Sequence, residues 1–140
     1  MTDGEGVRFG NFEVGIVVTD LDAATAFYRD VLGLEYIGDL DLPGGTMKRF
    51  AHGDAVVKLV RFEQAPAHVN PPGGAGAGVT GLRYLTLMIG DVERGVQRCV
   101  AAGHAVPVLP FEYQPGVRIA IVEDPEGNWV ELVQEQRSER

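Results

Sequence analysis

The chain has 140 residues, of which 45% are hydrophobic and 23% charged, the balance of an ordinary globular protein with one core. Its formal net charge of −8 disfavours nucleic acid and anionic membrane surfaces as partners. A single cysteine, Cys99, excludes an intrachain disulfide, and the sequence contains no apolar run typical of a secretory signal or a membrane span. These features predict a cytoplasmic protein.

The first predicted elements are a strand and a helix. Apolar residues alternate with others over residues 13–18, which is typical of a strand. Apolar residues then recur over residues 24–32 at i, i+3, i+4, i+7 and i+8, which predicts an amphipathic helix. Asp20 or Asp22 can cap its N-terminus, and Gly33 fits its C-terminal end. Three further strands are predicted, two of them around a Pro-Gly-Gly turn.

A second set of the same elements follows a linker. Residues 64–81 are rich in Pro, Gly and Ala, which is typical of a connecting segment. No Gly-Lys-Ser/Thr motif follows the glycines, which argues against a phosphate-binding loop. The second helix is predicted from a stripe at Val92, Val96, Cys99 and Val100. The segment EDPEGNWVELV, from Glu123, then predicts a turn and a last strand.

The two sets align as copies of one unit. Matching Asp20 with Asp91 places Glu13 opposite Tyr84, and matching KLV with ELV places Lys58 opposite Glu131. The sequence therefore predicts an α+β fold, in which one domain contains a module at 12–63, a linker at 64–81 and a module at 82–134. Each module has the order strand, helix, three strands. Because each module alone is of marginal size, we expect the two to share a sheet or a core.

The segments DLDAATAFYRDVLGL and DPEGNWVEL resemble those of the vicinal oxygen chelate superfamily, which includes glyoxalases, bleomycin-resistance proteins and extradiol dioxygenases. The resemblance covers about 12–134. It implies a paired βαβββ fold with an open, barrel-like cleft that holds the ligand. In metal-using members, the first and last strands of each module supply the metal ligands. The matching positions in this chain are Glu13, Lys58, Tyr84 and Glu131.

Lys58 departs from the metal-binding pattern of that superfamily. A protonated ammonium has no lone pair to donate and repels a divalent cation, and the carboxylates of Glu13 and Glu131 favour the charged form. Two unit charges about 4 Å apart interact by about 4 kcal/mol at an effective dielectric constant of about 20. Tyr84 is a poor ligand unless it is ionised. We therefore predict no bound metal and no other cofactor.

Two functions from different classes follow from this pattern. The first is a metal-independent lyase or isomerase, in which Glu131 or Glu13 acts as the general base next to a carbonyl group and Lys58 with Tyr84 stabilises the oxyanion. The second is a protein that binds and sequesters a drug-like molecule, as the bleomycin-resistance proteins do. A metal-dependent glyoxalase or dioxygenase is the least supported by the residues. A structural ion-pair cluster without chemistry is the plain alternative for the charged residues.

The predicted ligand site has apolar and aromatic walls. Its candidate wall residues are Met88, Trp129, Phe50 and Tyr113. Arg49, Arg61 and Arg118 lie on predicted strands near the cleft, where they either hold an anionic group or are solvated edge residues.

A homodimer is also predicted, because curved sheets with bare edge strands favour pairing. The sequence leaves open whether the modules that share a cleft belong to one chain or to two.

Overall fold

The order strand, helix and three strands is present twice in a computed structural model that describes residues 3–4 and 6–136. The first module contains β3 (Glu13–Val17), β4 (Glu35–Leu42), β5 (Gly45–His52) and β6 (Ala55–Phe62). The second contains β7 (Tyr84–Met88), β8 (Val108–Gln114), β9 (Val117–Glu123) and β10 (Trp129–Glu135). The two-residue strands β1 (Asp3–Gly4) and β2 (Val7–Arg8) precede the first module. The predicted α+β fold with two βαβββ modules is confirmed.

Each module forms its own four-stranded mixed sheet. The strand orders are β3-β6-β5-β4 and β7-β10-β9-β8, and the first and last strands of each module run parallel. The two sheets are not joined into a closed barrel. The register places Gly15 opposite Lys58 in the first sheet and Thr86 opposite Glu131 in the second. Equivalent strand positions of the two modules therefore have side chains of different charge and polarity.

The first helix is capped as predicted but changes its winding. It begins as α1 (Leu21–Thr25), whose N-cap Asp20 accepts a hydrogen bond from the backbone N–H of Ala23, and continues as a π-helical segment (Ala26–Val31). The wider winding appears in the bond from the Leu32 N–H to the Phe27 carbonyl, five residues earlier. Gly33 follows the helix with a φ of 85°, as expected for a C-terminal glycine.

The second helix, α2 (Val92–Ala101), differs from its predicted buried stripe at two positions. Asp91 caps it, and Val92, Val96 and Cys99 are buried as predicted. Val100 is exposed, whereas Gly95 is buried and lies where a Cβ would be 2.9 Å from the Ile89 side chain. A side chain at position 95 would require the end of the Ile89 side chain to shift, so the glycine allows close packing on the buried face. Among the described residues, no helix is long and apolar enough to cross a membrane.

The helix-facing sides of both sheets contribute to one hydrophobic core. Side chains from both modules are completely buried in it, including Phe27, Leu59, Val122 and Val130. Polar contacts reinforce the junction, since the buried Tyr28 hydroxyl donates to Asp124 Oδ2 at 2.7 Å. The Glu126 carboxylate also accepts hydrogen bonds from Thr19. The two modules of one chain are therefore packed together through their helices.

The linker between the modules is held against the second sheet. It contains a short 3₁₀ segment (Gly74–Gly76), and a Cβ at Gly74 would lie 2.1 Å from Trp129 Cδ2. Arg83 Nε donates to the Gly74 carbonyl at 3.0 Å, and Asn70 donates to the Asn128 side chain at 2.9 Å. The linker thus covers one side of the Trp129 ring.

Candidate functional site

Each sheet has one face turned away from the helices, which we call its open face. In the first sheet, buried Val57 and Leu59 point to the core, so Lys58 between them points to the open face. In the second sheet, buried Val130 and Leu132 flank Glu131 in the same way. The open faces therefore carry the residues at the candidate site positions.

The first half of the candidate site is an ion pair on the open face of the first sheet. Lys58 Nζ lies 3.4 Å from Glu13 Oε1, and the two side chains are 30% and 49% exposed. Gly15 lies opposite Lys58 on the neighbouring strand and has no side chain to compete for this space. Such a partly solvated pair contributes little to stability. Sequence reasoning sets both Glu13 and Glu131 beside Lys58, and within residues 6–136 the ion pair is made by Glu13.

The second half lies on the open face of the second sheet. The Thr86 hydroxyl donates to Glu131 Oε1 at 2.8 Å, while Glu131 Oε2 has no hydrogen-bond partner among the described residues. Tyr84 lies two residues before Thr86 on the same face and is 53% exposed. Sequence reasoning missed Thr86, although the repeat alignment that pairs Glu131 with Lys58 also sets Thr86 at the position of Gly15.

Within one chain, the structure brings these residues together as two separate pairs. Glu13 contacts Lys58, and Thr86 contacts Glu131. Among residues 6–136, no hydrogen bond or ion pair joins Glu13 or Lys58 to Tyr84 or Glu131. Because the modules of one chain pack through their helices, the two halves lie on different open faces.

The four predicted wall residues are distributed over different surroundings. Met88 and Tyr113 are exposed, and Trp129 is partly buried beneath Gly74. Phe50 is 0% exposed and lies opposite Val57, on the core side of β5. This placement removes Phe50 from the open face, because its ring packs in the core with Tyr28 and Leu59 as neighbours in the same cluster.

A cleft of about 630 Å³ separates the first strands of the two modules. Its apolar lining includes Val14 and Ile16 from β3, Leu85 and Leu87 from β7, and Trp129. Linker residues also line it, namely Pro66, His68, Val69 and Asn70. Tyr84 and Thr86 border this cleft, but Glu13, Lys58 and Glu131 do not line it. It has the size and apolar character of a small-molecule site.

The residues at the candidate site do not fit a divalent metal ion within one chain. Among residues 6–136, no group of three or more His, Cys, Asp or Glu side chains is placed to hold one. At the strand position where a carboxylate or imidazole is needed, Lys58 presents an ammonium that contacts Glu13. Glu131 has ordinary ligand chemistry and, as far as the described residues extend, forms no ion pair, whereas Glu13 is paired with Lys58.

Solved structures of known proteins share this architecture. A glyoxalase family protein from Bacillus cereus superposes with a TM-score of 0.78 at 20% identity, over 98% of this chain and 99% of that one. A glyoxalase I variant from Zea mays gives a TM-score of 0.73 at 20% identity, over 91% of this chain and 45% of that one. An antibiotic binding protein from Streptomyces sp. CB03234, TnmS3, gives 0.67 at 24% identity, over 92% and 98% of the two chains.

These structural similarities show the fold alone, and the comparison with curated proteins gives no match. A family model, described as Glyoxalase/Bleomycin resistance protein/Dioxygenase superfamily, matches residues 11–132, which is most of the chain. The chain therefore belongs to the glyoxalase, bleomycin-resistance protein and dioxygenase superfamily.

Proposed function

We propose that this chain is a metal-independent lyase or isomerase that moves a proton on a carbon next to a carbonyl group. The observation that carries the proposal is the geometry of Glu131. Its Oε1 is oriented by the Thr86 hydroxyl at 2.8 Å, which leaves Oε2 to accept a proton. A general base needs a fixed position and a free lone pair, and this arrangement supplies both.

The other candidate residues supply the positive and polar groups that the reaction requires. In the proposed step, Glu131 takes a proton from the substrate carbon, and the electrons of that C–H bond move to the carbonyl oxygen. The ammonium group of Lys58 and the hydroxyl of Tyr84 stabilise the resulting enolate. Return of the proton to a different carbon completes an isomerisation, whereas loss of a leaving group completes a lyase reaction.

The proposal also requires a second copy of the chain. The core buries the helix-facing sides of both sheets, whereas the open faces carry exposed apolar side chains such as Val17, Met88 and Phe111. Exposed apolar patches of this kind are typical of interaction surfaces. The open face with Lys58 and the open face with Glu131 differ in charge, which favours their association. We propose that the first module of one copy and the second module of another enclose each site.

Proton exchange tests the catalytic role of Glu131. We expect the wild-type protein to catalyse deuterium exchange next to the carbonyl of at least one member of a panel of small 2-oxo and 3-oxo acids in D₂O. Glu131→Gln should slow this exchange about 100-fold or more, because the general base is lost. The measurement is loss of the proton signal by NMR.

Glu135→Gln is the matched control for that experiment. Glu135 lies on β10 with the same side-chain parity as Glu131, but at its exposed end. The Glu135→Gln variant should therefore catalyse deuterium exchange at the wild-type rate. Exchange that persists in Glu131→Gln would contradict the assignment of Glu131 as the base.

Sedimentation equilibrium tests the requirement for two copies. We expect a species of twice the chain mass of 15.1 kDa at micromolar concentration. Met88→Glu places a charge on the open face of the second sheet and should shift the protein towards the single-chain mass. The matched substitution Val100→Glu, on the exposed side of α2, should leave the mass unchanged. A wild-type protein of 15.1 kDa at all concentrations would contradict the shared site.

A binding and sequestering function is the second candidate, and the cleft of about 630 Å³ supports it. An antibiotic binding protein is among the structural neighbours. Trp129 is the only tryptophan in the sequence and lines the cleft, so its fluorescence reports occupancy directly. A compound that changes this fluorescence, with no proton exchange on any probe, would favour the binding function over catalysis.

A further inference from the structure

Arg49 is a second cation on the open face of the first sheet. The register places Arg49 on β5 directly opposite Lys58 on β6, so both side chains project from the same face. Like charges directly opposite each other on a sheet are destabilising. Glu13, the one carboxylate within the described part of the chain that contacts Lys58, makes no ion pair with Arg49. The pair of cations therefore carries a surplus positive charge.

The neighbouring strand is shaped around the Arg49 guanidinium. A bulge in β4 falls between Tyr36 and Gly38, where Gly38 lies opposite Arg49 with a φ of 124°. A Cβ at Gly38 would lie 3.3 Å from Arg49 Nη2, so a larger residue would crowd the guanidinium. The bulge and its glycine thus leave room for this side chain on the sheet surface.

The hydrogen-bonding capacity of Arg49 is largely unused. Nη2 donates to the Ile37 carbonyl at a long 3.4 Å, and Nε is buried without a partner. Among residues 6–136, no carboxylate forms an ion pair with Arg49. A guanidinium carries five N–H donors, so most of them have no acceptor among the described residues. Glu35, opposite Ala51, shares the open face but is exposed and makes no ion pair with Arg49.

We propose that Arg49 and Lys58 form an anion-binding subsite that holds the carboxylate of the substrate. This inference rests on the proposed function and narrows it to oxo acids, with the carboxylate on Arg49 and the adjacent carbonyl oxygen at Lys58. A planar guanidinium binds a carboxylate through two parallel hydrogen bonds, which a solvated lysine does not reproduce. The bound anion also removes the repulsion between the two cations.

Binding of oxamate tests the subsite without requiring catalysis. Oxamate carries a carboxylate next to a carbonyl but no proton on carbon, so its binding does not depend on proton transfer. By calorimetric titration, we expect the wild-type protein to bind oxamate and not its neutral ethyl ester. Arg49→Gln should weaken oxamate binding about tenfold or more, the loss of one charge-assisted pair of hydrogen bonds.

The matched control is Arg61→Gln, which removes the same charge from the neighbouring strand β6. Arg61 is exposed and lies on the opposite face from Lys58, so this variant should bind oxamate like the wild type. Equal binding by Arg49→Gln, equal losses in both arginine variants, or no binding to the wild type would each overturn the subsite. Arg49-dependent binding in a protein that exchanges no proton would uphold the subsite while contradicting the proposed catalysis.

Discussion

Replacing Asp124 with alanine is expected to lower the free energy of unfolding by about 3 kcal/mol or more. Asp124 is 4% exposed and accepts hydrogen bonds from the Tyr28 hydroxyl, from the backbone N–H groups of Glu126 and Asn128, and from the Asn128 side chain. Its loss leaves the buried Tyr28 hydroxyl without an acceptor and removes a contact between the modules. Each unsatisfied buried group costs about 1–3 kcal/mol.

Chemical denaturation measures this loss, with Asp41→Ala as the control. Asp41 is exposed on β4, so its replacement should change the free energy of unfolding by less than about 0.5 kcal/mol. Equal stability of Asp124→Ala and Asp41→Ala would contradict the structural role of the Tyr28–Asp124 contact.

The contact between Tyr28 and Asp124 also makes the free energy of unfolding depend on pH in the alkaline range. Burial, and then the neighbouring Asp124 carboxylate, raise the pKa of the Tyr28 hydroxyl well above its ordinary value. The unfolded chain releases this proton near pH 10, whereas the folded chain keeps it. The stabilisation is therefore complete below about pH 10 and falls as the pH rises further, a loss that Tyr28→Phe should reduce.

The double variant Lys58→Glu/Tyr84→His is expected to bind a divalent first-row metal ion, whereas the wild-type protein purified without chelator should contain no stoichiometric metal. In the proposed site that two copies enclose, the two substitutions give three carboxylates and one imidazole, a donor set that suits such ions. Without metal, the variant should be less stable than the wild type, because the 3.4 Å contact between Lys58 and Glu13 becomes a repulsion between carboxylates. Elemental analysis of both proteins measures the metal content.

Tyr84→His alone is the control for that variant, since it adds a ligand but keeps the ammonium of Lys58. It should remain free of stoichiometric metal. One equivalent of metal in the wild-type protein would contradict the idea that Lys58 replaces the cation. A double variant without metal would mean that the geometry of the site, and not only Lys58, is unsuited to chelation.

Local patterns in the sequence predict much of the fold. Asp20 caps the first helix as expected, and Asp91 caps the second in the same way, because a short carboxylate before an apolar stripe meets free N–H groups wherever the helix lies. Alternation along β6 and β10 places Lys58 and Glu131 on the faces of their strands that point away from the core. These features depend on a few neighbouring residues, so a single sequence is sufficient to find them.

Features that depend on pairing between strands are harder to predict. Phe50 was predicted as a wall of the ligand site, yet its register opposite Val57 turns it into the core. Thr86 and Arg49 become candidate site residues only because the register sets them opposite Glu131 and Lys58, respectively. Alternation gives the two faces of one strand, but the register and the β4 bulge determine which residues become neighbours.

The single core shared by the two modules also determines how the chain folds. Phe27 and Tyr28 of the first module are completely buried against the second, so neither module completes its burial alone. We expect one cooperative unfolding transition, with coincident signals from Trp129 fluorescence and backbone circular dichroism. A fragment that ends in the linker would expose the whole inner side of the first module to water. The repeat in the sequence therefore corresponds to two structural modules, which fold together as one cooperative unit.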